Sequence, residues 1–179
     1  MALTVDAAAA SQRAQANVRE LYLRHAPELR QAIHRLAGGV LDADDLLQDV
    51  FVIAVRRADA LSAAQSPTAW LYGVASKVVS GRLRTSRWRR WLGLEAAAEA
   101  VSGDSPQLSL EQREARRSVE LGLSKLSGTR REVLVLFELQ GLSGAEVAQA
   151  LNIPVKTVWT RLFYARRDFA IALKEAGHD

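Results

Sequence analysis

The chain has 179 residues and a formal charge of +4, from 24 Lys and Arg against 20 Asp and Glu, a balance that suits a polyanionic partner. It contains no Cys, which excludes a disulfide framework and a thiolate metal site and points to an intracellular location. No apolar run is long enough to cross a bilayer and Met1–Asp6 lacks a basic then apolar leader pattern, so a soluble, cytoplasmic protein without membrane insertion is expected. His25, His34 and His178 are scattered without ligand-like spacing, and there is no Gly-rich phosphate loop, GxSxG or HExxH. No catalytic residue, metal or cofactor is therefore expected, and the chain does not read as an enzyme.

Ala, Leu, Arg and Glu at helical spacing, with few prolines and few β-branched runs, predict an all-α fold. The first dozen residues are Ala-rich and expected to fray. A long helix is expected from about Ser11 to Ala37, ending at Gly38-Gly39, where a left-handed cap is inexpensive. Asp42 then caps a second helix that reaches about Leu61, with Asp44 and Asp45 in its first turn favoured by the helix dipole. Its buried stripe is Leu47, Val50, Phe51, Ala54, Ala58 and Leu61, and Asp45, Asp49, Val52 and Arg56 fall on the opposite side. Val52, apolar on a charged face, reads equally as tolerated scatter or as the centre of a docking point for a partner helix.

Pro67 opens a third helix that runs towards Trp88. From Ala60 to Leu94 there is no Asp or Glu, whereas Lys77, Arg82, Arg84, Arg87, Arg89 and Arg90 alternate with Trp70, Tyr72, Trp88 and Trp91. Such a stretch can neutralise phosphates and stack unpaired bases, at about 1–3 kcal/mol per base. The alternative makes the tryptophans core and the arginines a solubilising surface, and at least one of Trp70 and Tyr72 is expected to be partly core.

From Gly93 to Ser109 the composition turns to Ala, Ser, Gly, Pro and acid, with Glu95, Glu99 and Asp104, and the segment reads as a linker. A helix from Leu110 to about Leu126 follows. Thr129 and Glu132 then have capping-box spacing for a helix that ends at Gly141. Ser143 and Glu146 repeat that spacing for a helix from Gly144, which Asn152 and Pro154 stop, and a second helix follows at once. At 100° per residue the second helix turns Val155, Val158, Leu162, Ala165 and Phe169 inward and Lys156, Thr157, Thr160, Tyr164 and Arg167 outward, with Trp159 and Arg161 on the flanks. Two short helices around a tight turn, the second with a polar and basic face, are how a helix-turn-helix presents side chains to a major groove. The expected architecture is two small helical domains, 11–92 and 110–176, joined by a flexible linker at 93–109, the C-terminal one a four-helix unit.

Together these motifs resemble the extracytoplasmic-function (ECF) group of bacterial RNA polymerase sigma factors. The resemblance runs from about Val18 to Leu173. It rests on Asp42-Ala43-Asp44-Asp45-Leu46-Leu47-Gln48-Asp49-Val50-Phe51, on Pro67-Thr68-Ala69-Trp70-Leu71-Tyr72, on Thr129-Arg130-Arg131-Glu132-Val133-Leu134 and on Gly141-Leu142-Ser143 through Ile153-Pro154-Val155-Lys156-Thr157-Val158. It implies that Asp45, Gln48, Asp49 and Val52 dock core RNA polymerase. By the same resemblance Trp70, Tyr72, Lys77, Arg82, Arg84 and Arg87 bind and melt the promoter minus-ten element. Lys156, Thr157, Trp159, Thr160, Arg161, Tyr164 and Arg167 read the minus-thirty-five element, and the acidic linker occupies the RNA exit path. An anti-sigma protein is the further partner that the family implies, with an external or envelope signal releasing it. Three positions depart from the pattern: Lys77 stands where many relatives have Asn, Gly73 where Arg is frequent, and Trp159 where Lys or Arg is frequent. Two other classes share parts of this layout, a helix-turn-helix regulator and a polymerase-binding decoy that does not melt promoters. Initiation by core polymerase at a promoter separates both from a sigma factor.

Overall fold

The computed structural model describes residues 2–94 and 109–176, with side chains from residue 16 onward, so the linker expected at 93–109 lies outside the described residues except for its ends. Within them every regular element is helical. Helix α1 spans Ala2–Ala37. It includes most of the stretch expected to fray, because Ala has the highest helix propensity and a run of it extends a helix readily. Gly38 and Gly39 end it with φ of 67° and 74°, left-handed backbone that Gly adopts without strain.

Helix α2 spans Ala43–Arg56 and α3 spans Ala58–Ser62. Asp42 caps α2 as expected, its carboxylate accepting from the N–H groups of Asp44 at 2.8 Å and Asp45 at 3.2 Å. The unbroken helix expected to Leu61 is interrupted at Arg57, where φ is −121° and ψ is 34°. The break re-aims the last turn, and Ala58 and Leu61 stay buried where α3 meets α1 and α4. Helix α4, Pro67–Trp91, starts with the Ser66 hydroxyl accepting from the Ala69 N–H and with Pro67 at a position whose N–H has no helical partner.

Helix α5 spans Leu110–Lys125 behind a capping box of Ser109 and Gln112. Helix α6, Gly128–Leu134, does not use the capping box expected of Thr129 and Glu132: it begins two residues earlier, after Ser127, and Glu132 accepts instead from the Ser80 hydroxyl at 2.6 Å. Nor does it run as one α-helix to Gly141. It widens into a π-helical turn over Val135–Leu139. Val133, Leu134, Val135 and Leu136 are all buried, so the chain is enclosed on every side over this turn, and only at Glu138 and Leu139 does it return to the surface.

Helices α7, Gly144–Leu151, and α8, Val155–Glu175, form the helix-turn-helix. The expected capping box is present, Ser143 accepting from the Glu146 N–H while the Glu146 carboxylate accepts from both the N–H and the hydroxyl of Ser143. These bonds, the backbone one first, hold Glu146 below the usual carboxylate range. Asn152 makes the turn in left-handed backbone at φ 53°. Val158, Leu162 and Ala165 are buried and Phe169 is half-buried, as the helical spacing predicts, but Val155 is exposed at the first turn of α8, before the helix reaches its neighbours.

The two halves touch. The half-buried Arg131 guanidinium donates to the carbonyls of Leu123, Ser124 and Leu126 at the end of α5 and to that of Leu36 at the end of α1. One cation thus satisfies the unpaired carbonyl ends of two helices from different halves. Beside it, buried His34 lies 3.5 Å from Glu120 of α5, and desolvation lowers its pKa, favouring the neutral imidazole.

Candidate nucleic-acid and protein interfaces

Three helical faces carry the residues singled out in the sequence. On α2, Asp45, Gln48 and Val52 are exposed and Asp49 is half-exposed. Val55 continues the same stripe by one more turn and is 48% exposed, against 47% for Val52. The spacing 45, 48, 52, 55 alternates three and four residues, so this is a single ridge, and that alternation was readable in the sequence. Not every acid near it is available. Asp44 takes a two-pronged bond from Arg30, at 2.6 and 2.9 Å, which lowers its pKa. Asp49 accepts from Arg82 of α4 at 2.7 Å, so one residue of the expected protein face is joined to one of the expected DNA face.

Helix α4 divides along its length. Trp70 is half-buried and Lys77 exposed, both lining a cleft of about 480 Å³ with Ile53, Arg56 and Arg57 on one side and Gln149 and Ala150 of α7 on the other. No carboxylate lines it. Tyr72, which the resemblance made a minus-ten contact, is instead the core member expected of the Trp70 and Tyr72 pair: it is 5% exposed and its hydroxyl donates to Gln140 at 2.8 Å. Burial pushes its phenol up to about 12. Towards the C-terminal end Arg84 and Arg87 surround an exposed pair, Trp88 and Trp91, whose rings lie 5.1 Å apart. Trp88 and Trp91 are 61% and 75% exposed, so the reading that made these tryptophans core does not hold for them.

On α8 the outward set is as predicted: Lys156, Trp159, Thr160, Tyr164 and Arg167 are exposed, with Thr157 and Arg161 half-exposed. The Thr160 hydroxyl donates to the Lys156 carbonyl at 3.1 Å. Tyr164 lies between the guanidinium groups of Arg130 and Arg167, at 5.3 and 5.0 Å from its ring centroid, and both arginines pair with Asp168. Trp159 is anchored. Its ring meets Phe137 edge-on at 5.5 Å and covers Gly144 so closely that a Cβ there would lie 2.5 Å from it. Phe163, exposed beside Thr160, went unnoticed in the sequence because a single outward aromatic carries no periodic signal.

Among the described residues no group of acidic or histidine side chains could hold a metal ion, and no helix is long and apolar enough to cross a membrane.

Residues 21–89 match the model of sigma-70 region 2 and residues 116–169 that of sigma-70 region 4. The chain is 30% identical to the ECF RNA polymerase sigma factor SigL of Mycobacterium tuberculosis, over 89% of this chain and 90% of SigL. It is 33% identical to the RNA polymerase sigma factor CnrH of Cupriavidus metallidurans, over 96% of this chain and 92% of CnrH. The solved structure of CnrH in complex with the cytosolic domain of CnrY superposes with a TM-score of 0.64 over 92% of this chain and 95% of that one, at 26% identity. The sigma factor RpoE of Bartonella quintana, solved with the anti-sigma factor NepR, has the same fold, with a TM-score of 0.72 over 88% of this chain and 97% of RpoE at 21% identity. With both sigma-70 regions in order and relatives matched over nearly their whole length, the chain belongs to the ECF RNA polymerase sigma factors, which direct core polymerase to promoters.

Proposed function

We propose that the two matched regions divide that work as follows. The domain at 11–92 docks core RNA polymerase through Asp45, Gln48, Asp49 and Val52, now with Val55, and engages the minus-ten element through α4. The domain at 110–176 reads the minus-thirty-five element with the outer face of α8, and the acidic segment at 93–109 joins the two. The observation that carries this reading is the position of the exposed basic and aromatic faces: α4 closes the region 2 match and α8 closes the region 4 match. Bond making belongs to the polymerase, and the chain acts where the polymerase does. CnrH and RpoE are both solved with protein partners, which supports an anti-sigma protein as a regulator of this chain too, released by an external or envelope signal.

The test is initiation by core polymerase, loaded with this protein, on a randomised promoter library. Specific start sites with two shared elements are expected, and none would remove the assignment. In the same selection Thr160→Ala is expected to relax preference at one or two positions of the upstream element, about 1–3 kcal/mol of discrimination for a good base contact. Identical motifs from the variant would shift the reading face towards Arg161 and Phe163.

Arg84 and Arg87 flank the exposed tryptophans of α4 and lie in a stretch free of acids, so phosphate contact is the role that fits them. Replacing both by Ala is expected to weaken holoenzyme binding equally on all promoter variants. The plot of log K against log salt should flatten by about 0.9 for each phosphate that is no longer neutralised. An unchanged slope returns both to a solvated surface.

A further inference from the structure

Of the three departures from the family pattern, Gly73 is explained inside the chain. A Cβ there would stand 2.6 Å from the carbonyl oxygen of Ala150 in α7, so a side chain does not fit where the two helices meet. Trp159 is different, because it is packed on one side and open on the other. Phe137 meets its ring edge-on at 5.5 Å and Gly144 lies under its Cζ2 and Cη2 corner, yet the residue is 48% exposed. Phe137 is held in turn by Arg166, whose guanidinium stands 5.8 Å from the ring centroid and donates to Glu138 at 2.7 Å. The indole is thus fixed before anything binds, and an ordered side chain loses little freedom on contact.

Val155 lies four residues before Trp159 and Phe163 four after, 42% and 66% exposed. The three form one row along α8, about 12 Å from end to end at 1.5 Å per residue. Beside it run Lys156, Thr160 and Arg167, also exposed, and from Val155 to Arg167 the helix has no acidic residue. Large apolar side chains flanked by cations ask for a partner that is negative at its rim and apolar at its centre. On the base edges of a major groove the apolar group is the C5-methyl of thymine, and phosphates line both sides. The indole has one N–H and the phenyl ring none, so neither can make the two-pronged contact by which Arg selects guanine.

We propose that Val155, Trp159 and Phe163 seat thymine methyl groups of the upstream element, and that Trp159 sets thymine at the centre of the row where a cation would set guanine. This rests on the reading of α8 given under Proposed function and adds the base that the helix prefers. At 3.4 Å per pair the row faces roughly three to four base pairs, so thymines, in either strand, are expected at two or more neighbouring positions.

The test uses the holoenzyme and the promoters that it selects from the randomised library. Each thymine of the upstream element is replaced in turn by deoxyuridine, which removes the methyl and keeps the O4 acceptor. Binding is expected to weaken about fourfold at each position that the row contacts, the worth of roughly one methylene taken out of water. With Phe163→Gln, which installs a good helix former, one of those positions is expected to bind thymine and uracil alike. Trp159→Arg is expected to select guanine at the central position with circular dichroism unchanged. Should that variant not fold, the uracil series on the unsubstituted protein decides by itself. An element without neighbouring thymines, or indifference to every uracil, overturns the proposal. So does a Phe163→Gln protein that keeps its thymine preference but no longer holds core polymerase, which would make the row a protein contact. Selection of no upstream element sinks the reading of α8 and the proposal with it, whereas a selected element indifferent to the methyl groups sinks the proposal and leaves α8 on DNA.

Discussion

Val52→Arg together with Val55→Arg is expected to abolish co-purification with core RNA polymerase while leaving the helical signal unchanged. Both side chains are about half-exposed on the outer ridge of α2 and neither belongs to the core, so substitution should alter stability little. In a bound complex they would form the apolar centre of a polar-rimmed ridge, the kind of position where truncation costs about 2 kcal/mol or more. Two such losses, with two cations forced into a dry interface, amount to at least roughly a hundredfold in affinity. The pair is a cleaner probe than Asp49, whose replacement would also free Arg82 on α4. Retained co-purification of a folded double variant would move the polymerase contact to another face, and the exposed Tyr22 and Leu23 of α1 would be the next residues to substitute.

Arg131→Met carries the largest expected loss of stability. Met matches much of the length of the stem but takes the charged donor from four carbonyls, at Leu36, Leu123, Ser124 and Leu126, of which Leu123 keeps the Leu126 N–H. A hydrogen bond to a charged group is worth about 1.5–3 kcal/mol, and several disappear together, so a fall of about 3 kcal/mol or more in urea denaturation is expected. Arg131→Lys should recover only part, because one ammonium cannot point at carbonyls on both helix ends as a planar fork does. A fall below about 1 kcal/mol for Met would mean that water replaces the guanidinium at these helix ends.

Legibility in the sequence followed the range of the interaction. The capping box of Ser143 and Glu146, the left-handed Asn152 and the inward stripe of Val158, Leu162 and Ala165 depend on neighbours within one or two turns, and the pattern alone placed them. The α2 stripe was equally readable, and Val55 needed only the same count carried one turn further. Arg131 was legible as part of a motif but not in its role, since the carbonyls that it serves belong to α1 and α5. Tyr72 shows the same limit. An aromatic in a basic helix fits a stacked base and a covered core equally well, and Gln140, which takes its hydroxyl, lies far along the chain. Two of the three departures from the family pattern, Gly73 and Trp159, were anomalies in sequence and are close-packing requirements in space, one beneath α7 and the other over Gly144.

The seating of α7 on α4 has a consequence for the time course of synthesis. Roughly 80 residues separate Gly73 from Ala150, and a ribosome adding about 5–20 residues per second takes roughly 4–16 s to make them. During that interval the nascent chain already carries α1 to α4 and has no α7 to cover them. Until α7 emerges, the face of α4 that carries Tyr72 and Gly73 has nothing to lie against, so the N-terminal half folds first with that face open to solvent.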